Sequence, residues 1–93
     1  MLYVTDQAKE MLKAALLANR GEDRDLGIRL LVNDQGEFGL VLDHSGPDDL
    51  VVEHSGLAVL LIDPGVAEAA GEAVIDYREE AGEAALVIEP HAA

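Results

Sequence analysis

Apolar residues recur at helical spacing near the start of the chain and at strand spacing through the rest of it. Ala8, Met11, Leu12, Ala15 and Leu16 fall at i, i+3, i+4, i+7 and i+8, the stripe of a helix with one buried face. Lys9, Glu10 and Lys13 occupy its other side. Thr5 has the chemistry of an N-cap, and Asp6 places a negative charge in the first turn, where the helix dipole favours it. Gly21 ends the helix and Arg20 complements its C-terminal end. Leu2-Tyr3-Val4 reads as a short extended piece ahead of the helix.

Beyond the charged loop Glu22–Asp25 the pattern changes. Ile28–Val32, Phe38–Leu42 and Leu50–Val52 are short apolar or branched runs separated by Asn33-Asp34-Gln35-Gly36 and His44-Ser45-Gly46-Pro47, so they read as strands joined by turns. Leu57–Ile62 is apolar throughout, the mark of a strand covered on both faces, and is expected at the centre of a sheet. Asp63-Pro64 opens a short helix, Pro64–Ala70, closed by Gly71. Val74–Tyr77 and Ala85–Ile88 are the last strands. Strands at roughly 8–12-residue spacing behind one N-terminal helix predict a mainly β α+β domain, a sandwich or barrel of mostly antiparallel strands, rather than a βαβ fold. Asp43-His44-Ser45-Gly46 and Glu53-His54-Ser55-Gly56 lie ten residues apart, an offset that suits successive hairpin turns. A histidine metal pair is the alternative, but it lacks a third ligand at defined spacing.

Composition narrows the chemistry. The 93 residues make one domain spanning 1–93, and with 49% hydrophobic residues they can build a core. Tyr3, Phe38 and Tyr77 are the only aromatics, so that core is aliphatic. There is no cysteine, which excludes disulfides, thiolate nucleophiles and thiolate metal sites. No apolar run reaches the 18 or so residues of a membrane span and no signal peptide opens the chain, so a cytoplasmic setting is the default expectation. The net charge is −13. Up to Leu30 five basic residues match five acids; from Leu31 onward Arg78 alone faces fourteen. Nucleic acid and anionic membranes, both of which need Lys/Arg surfaces, are disfavoured as partners.

No catalytic constellation emerges. Gly36-x-x-Gly39 lacks the lysine and following helix of a phosphate loop, and neither H-E-x-x-H nor G-x-S-x-G occurs. Ser45 and Ser55, the only serines, each neighbour a histidine, but adjacent turn residues diverge and make a poor nucleophile–base pair. Pairs such as Asp48-Asp49 and Glu79-Glu80 follow from composition. The chain is therefore expected not to be an enzyme.

Read end to end, the chain resembles the A-type iron–sulfur carrier family, also known as the HesB-type or IscA/SufA-like domain. Thr5-x-x-Ala8-x-x-x-Leu12 matches the family's opening helix motif, and Gly27-Ile28-Arg29-Leu30-x-Val32 resembles its "LRI-x-V" strand. Gly36-x-x-Gly39 matches the glycines of a loop that normally reads Gly-Cys-x-Gly. Asp49-x-Val51-Val52-Glu53-x-x-Gly56-Leu57-x-Val59 follows the "D-x-V-x-E-x-x-G-V-x-V" stretch, Ile62-Asp63 its "V-D", and Ile75-Asp76-Tyr77 its "IDY". Glu89-Pro90 falls where "NP" is usual. The resemblance implies a HesB-like pseudobarrel with an N-terminal capping helix and a short second helix. It also implies homodimers and iron–sulfur assembly proteins as partners.

The departures bear on function. The family holds its cluster or iron through three cysteines, one in the Gly-Cys loop and two in a C-terminal Cys-Gly-Cys. Here Glu37 stands at the first position, between Gly36 and Gly39, and the sequence reaches Ala93 without the other two. Gly71 also lies five residues before Asp76, where four are expected. Clusters need thiolate ligands, replaced only in part by imidazole, so no cofactor is expected. The expectation is a non-enzymatic, cysteine-less relative acting as a binding or accessory module. The alternative is a carboxylate–imidazole metal site of Glu37 and His91, with Asp34 the one further ligand at hand.

Overall fold

A computed structural model of the chain describes residues 2–35 and 37–90. Seven strands and two helices follow in the order β1 (Leu2–Val4), α1 (Asp6–Asn19), β2 (Leu26–Val32), β3 (Phe38–His44), β4 (Leu50–His54), β5 (Leu57–Ile62), α2 (Pro64–Ala70), β6 (Ala73–Glu80) and β7 (Glu83–Pro90). They form a three-stranded sheet, β1-β6-β7, and a four-stranded sheet, β3-β2-β5-β4. The α+β class, the capping helix and the short second helix agree with the sequence. β5 sits inside its sheet as expected, and Val59, Leu60, Leu61 and Ile62 are all buried.

The helix boundaries follow from local chemistry. The Thr5 hydroxyl accepts from the Ala8 N–H at 3.2 Å and donates to Asp76 Oδ1 at 2.8 Å, while the Thr5 N–H reaches the Ile75 carbonyl at 3.0 Å. One residue thus starts α1 and pins it to β6. The Thr5 hydroxyl, then the Tyr77 N–H, hold the Asp76 carboxyl below the usual range. α2 is opened by Asp63, whose carboxylate accepts from the Gly65 N–H at 2.8 Å. No described helix is long and apolar enough to cross a membrane.

Strand pairing is more mixed than the sequence suggests. β2–β3, β4–β5 and β6–β7 are antiparallel, but β1–β6 and β2–β5 are parallel. The parallel pairs join segments far apart in the chain, where short-range pattern carries no signal. One turn also differs. His54-Ser55-Gly56 does close a tight hairpin, with Ser55 and Gly56 at φ 53° and 78° as a primed turn requires. His44-Ser45-Gly46-Pro47 does not: β3 and β4 lie on opposite edges, and this segment opens the crossover between them. The strands also outrun their apolar cores, since β6 and β7 continue their ladder through Arg78–Glu80 and Glu83–Ala85.

α1 packs against both sheets. Ala8, Leu12 and Leu16 meet Ile28, Leu30, Leu60, Ile62, Ile75 and Leu86 in one aliphatic core. Fully burying each of the leucine and isoleucine side chains contributes about 1.5–3 kcal/mol. Leu61 pairs with Arg29 and Val51 and stands outside this cluster. Gly27 gives it room: a Cβ at Gly27 would meet Leu61 Cγ at 3.1 Å and the Ala58 carbonyl at 3.0 Å.

Candidate functional site

Glu37 lies at the mouth of the β2–β3 hairpin, where Asn33 organises the loop. Asn33 Oδ1 accepts from the N–H groups of Gln35 and Glu37, both at 2.9 Å, and its own N–H donates to the Glu37 carbonyl at 2.8 Å. Asn33 Nδ2 also donates to Glu37 Oε1 at 3.1 Å. The exposed Glu37 side chain is therefore part of the loop's own hydrogen bonding. Asp34 is an exposed turn residue, and Gly39 opposes Leu31 with open space at its α-carbon. Gly36 and His91, also singled out from the sequence, lie outside the described residues.

The histidines part company. His44 Nε2 is 2.9 Å from Asp23 Oδ2, while His54 Nε2 is 2.7 Å from Glu10 Oε1, so each binds its own carboxylate. The Asp25 N–H and then His44 lower the Asp23 carboxyl, and His54 lowers that of Glu10. Among the described residues no three of His, Asp and Glu converge as metal ligands.

The strongest polar constellation is one the sequence reading did not single out. Arg29, within β2, donates through Nε to Asp43 Oδ2 at 2.6 Å. Its other nitrogens grip Asp49 at 2.9 and 2.6 Å, and Nη2 reaches the His44 carbonyl at 3.1 Å. Asp49 Oδ2 also accepts from the Gly46 N–H at 2.6 Å. The side chains of Arg29 and Asp49 are only 15% and 5% exposed, so water screens their bidentate pair weakly. Arg29, then the Gly46 N–H, push the Asp49 carboxyl down to about 2, and Arg29 lowers that of Asp43. The guanidinium is correspondingly held in its charged form. This knot straps the β3–β4 crossover to β2. The signal was available: an arginine inside an apolar strand needs a carboxylate partner.

A cleft of about 640 Å³ opens beside the knot, walled by Leu31, Val32, Pro47, Asp48 and Asp63. Of its acids, Asp49 is held by Arg29 and Asp63 accepts from the Gly65 N–H. β3 forms the other unusual surface. Phe38, Leu40, Val41 and Leu42 are all exposed on this edge strand.

Hairpin, crossover and capping helix can be set beside known proteins. No protein-family model and no curated protein matches the chain. Among solved structures, Escherichia coli SufA, described as involved in biosynthesis of iron–sulfur clusters, superposes with a TM-score of 0.69 over 96% of this chain and 84% of its own, at 22% identity. The chain has the A-type carrier fold. IscA, solved with a [2Fe-2S] cluster, is similar at a TM-score of 0.58 and 20% identity, over 97% of this chain and 82% of its own. On this carrier fold the chain presents Glu37 in the Gly-x-x-Gly loop, and none of its 93 residues is a cysteine.

Proposed function

We propose that this chain is a non-enzymatic, cysteine-less relative of the iron–sulfur carriers, a cytoplasmic binding or accessory module that does not itself hold a cluster. Its partners are iron–sulfur assembly proteins. The observation that carries this reading is a carrier fold in a sequence with no thiolate. Fold persists where a site has been lost, and a cluster without thiolate ligands is not held. The Glu37 carboxylate accepts a hydrogen bond from Asn33 Nδ2. The alternative is a metal site of Glu37 and His91, of which His91 lies outside the described residues. A homodimer, which the resemblance implies, is open to sedimentation equilibrium.

Anaerobic reconstitution with iron and sulfide, followed by desalting, tests the reading. The expected outcome is colourless protein with neither metal nor sulfide retained. A stable visible charge-transfer spectrum with stoichiometric sulfide overturns it. Metal analysis of untagged protein supplies the second arm, and stoichiometric iron, manganese or zinc lost in Glu37→Gln selects the carboxylate site instead.

A further inference from the structure

We propose that the free edge of β3 receives an extended, lysine- or arginine-bearing segment of a partner protein as an added strand. This deepens the proposed binding role by naming a surface and a partner chemistry.

Sheet edges are normally protected by shortness, bulges, proline or charge. β1 has three residues, β4 has a register shift after Val52, and β7 contains Pro90. β3 has seven residues with no proline, lysine or register shift, and four of its apolar side chains are exposed. The bond from the Asn33 N–H to the Glu37 carbonyl sets the phase of the hairpin ladder. Antiparallel pairs alternate, so Gly39, Val41 and Asp43 bond to β2 while Phe38, Leu40 and Leu42 turn their N–H and C=O groups outward. No described strand lies beyond them. The His44 N–H bonds Asp43 Oδ1 and closes that end of the edge.

Charge selects the occupant. No lysine or arginine occurs between Leu31 and Tyr77, while Asp34, Glu37 and Asp48 lie beside β3 in the chain. Arg29, the cation on the neighbouring strand, is matched by Asp43 and Asp49. A second copy would bring the same acidic rim and another net charge of −13 against this edge. A segment alternating apolar and basic residues fits both requirements. Its main chain completes the ladder and its charges meet the rim.

The test titrates the intact protein with a short, end-blocked fluorescent peptide alternating valine and lysine, beside one alternating valine and glutamate. The lysine peptide should bind at least about tenfold tighter, and more weakly as NaCl rises. Leu40→Pro removes one outward donor and leaves the β2 ladder intact, so it should weaken binding about 3–10-fold. Val41→Lys, which adds a like charge to the exposed edge without touching the backbone, should weaken it as well and decides the matter if the proline variant misfolds. Equal binding of the two peptides overturns the proposal. So does lysine-peptide binding unaffected by the folded variants, the result expected of diffuse attraction to an acidic body. Self-association abolished by Leu40→Pro also overturns it, since the edge would then serve a second copy. These outcomes are independent of cluster reconstitution, so failure of the strand proposal and failure of the cluster-free reading are distinguishable.

Discussion

β5 and β3 belong to the same sheet and are both rich in apolar residues, yet their surroundings are opposite. β5 lies between β2 and β4 beneath α1, and Val59 to Ile62 are at most 1% exposed. β3 has one neighbour, and Leu40, Val41 and Leu42 are 39–44% exposed. Apolar content therefore does not say whether a strand is covered. Cover on both edges and both faces does: Val59–Ile62 have it, whereas Leu31 and Val32 at the end of interior β2 lack it and are 45% and 40% exposed. β3 is fastened at one end by the Asp43–Arg29–Asp49 knot, while its edge is left open.

The largest effect should come from cutting into β5. Leu60→Ala should cost about 2–5 kcal/mol, the sum of lost transfer energy and an imperfectly collapsed cavity. Val41→Thr on β3 should change stability by no more than about 0.5 kcal/mol, as at other exposed positions. Urea unfolding of both variants checks this contrast. Equal destabilisation would mean that β3 is buried in solution, against a partner or a second copy.

A smaller effect is expected at the knot. The Asp49 carboxyl titrates at about 2 when folded and near the ordinary aspartate value of about 3.9 when unfolded. The unfolded state therefore takes up the proton first as pH falls. The stabilisation is complete above about pH 4 and disappears as pH approaches 2. Asp49→Asn should lower the melting temperature at neutral pH and flatten this part of the acid limb. Thermal melts between pH 2 and 7 measure both. An unchanged acid limb would show that the crossover is held by packing rather than by the ion pair.

The smallest effect concerns the uneven charge. Fourteen acids and one arginine after Leu30 place like charges on the part of the chain that includes β3. Their repulsion opposes compaction and is screened over a Debye length of about 10 Å at 0.1 M salt. Melting temperature at neutral pH should rise modestly and gradually with NaCl. MgCl₂ at matched ionic strength should show no saturation, and neither should MnCl₂. A melting temperature indifferent to salt would mean that the charges are too widely spread to oppose folding. A saturable, manganese-selective rise lost in Glu37→Gln would instead point to a bound ion.

Much of the architecture was legible because its causes are local. Thr5, the stripe from Ala8 to Leu16, Asp63-Pro64 and Ser55-Gly56 act through residues within a few positions, and each element formed as expected. The site was less legible. Glu37 was found by its place in a glycine loop, but its bonding to Asn33 depends on how the hairpin closes. Arg29 could be seen as an oddity within an apolar strand. Its partners lie 14 and 20 residues away, Asp43 near the end of β3 and Asp49 on a crossover that resembled a hairpin turn in sequence.

The amino-acid pattern was enough to specify two helices, a β-rich body, an aliphatic core and the absence of thiolate chemistry, since periodicity, capping and composition act residue by residue. It did not specify the parallel pairs β1–β6 and β2–β5, the passage of the chain from β3 to β4 across the sheet, or which apolar strand would remain uncovered. Those features were settled by packing between distant segments. A strand's pattern records that its side chains prefer apolar neighbours, whereas the number of neighbours it obtains depends on where the rest of the chain closes around it.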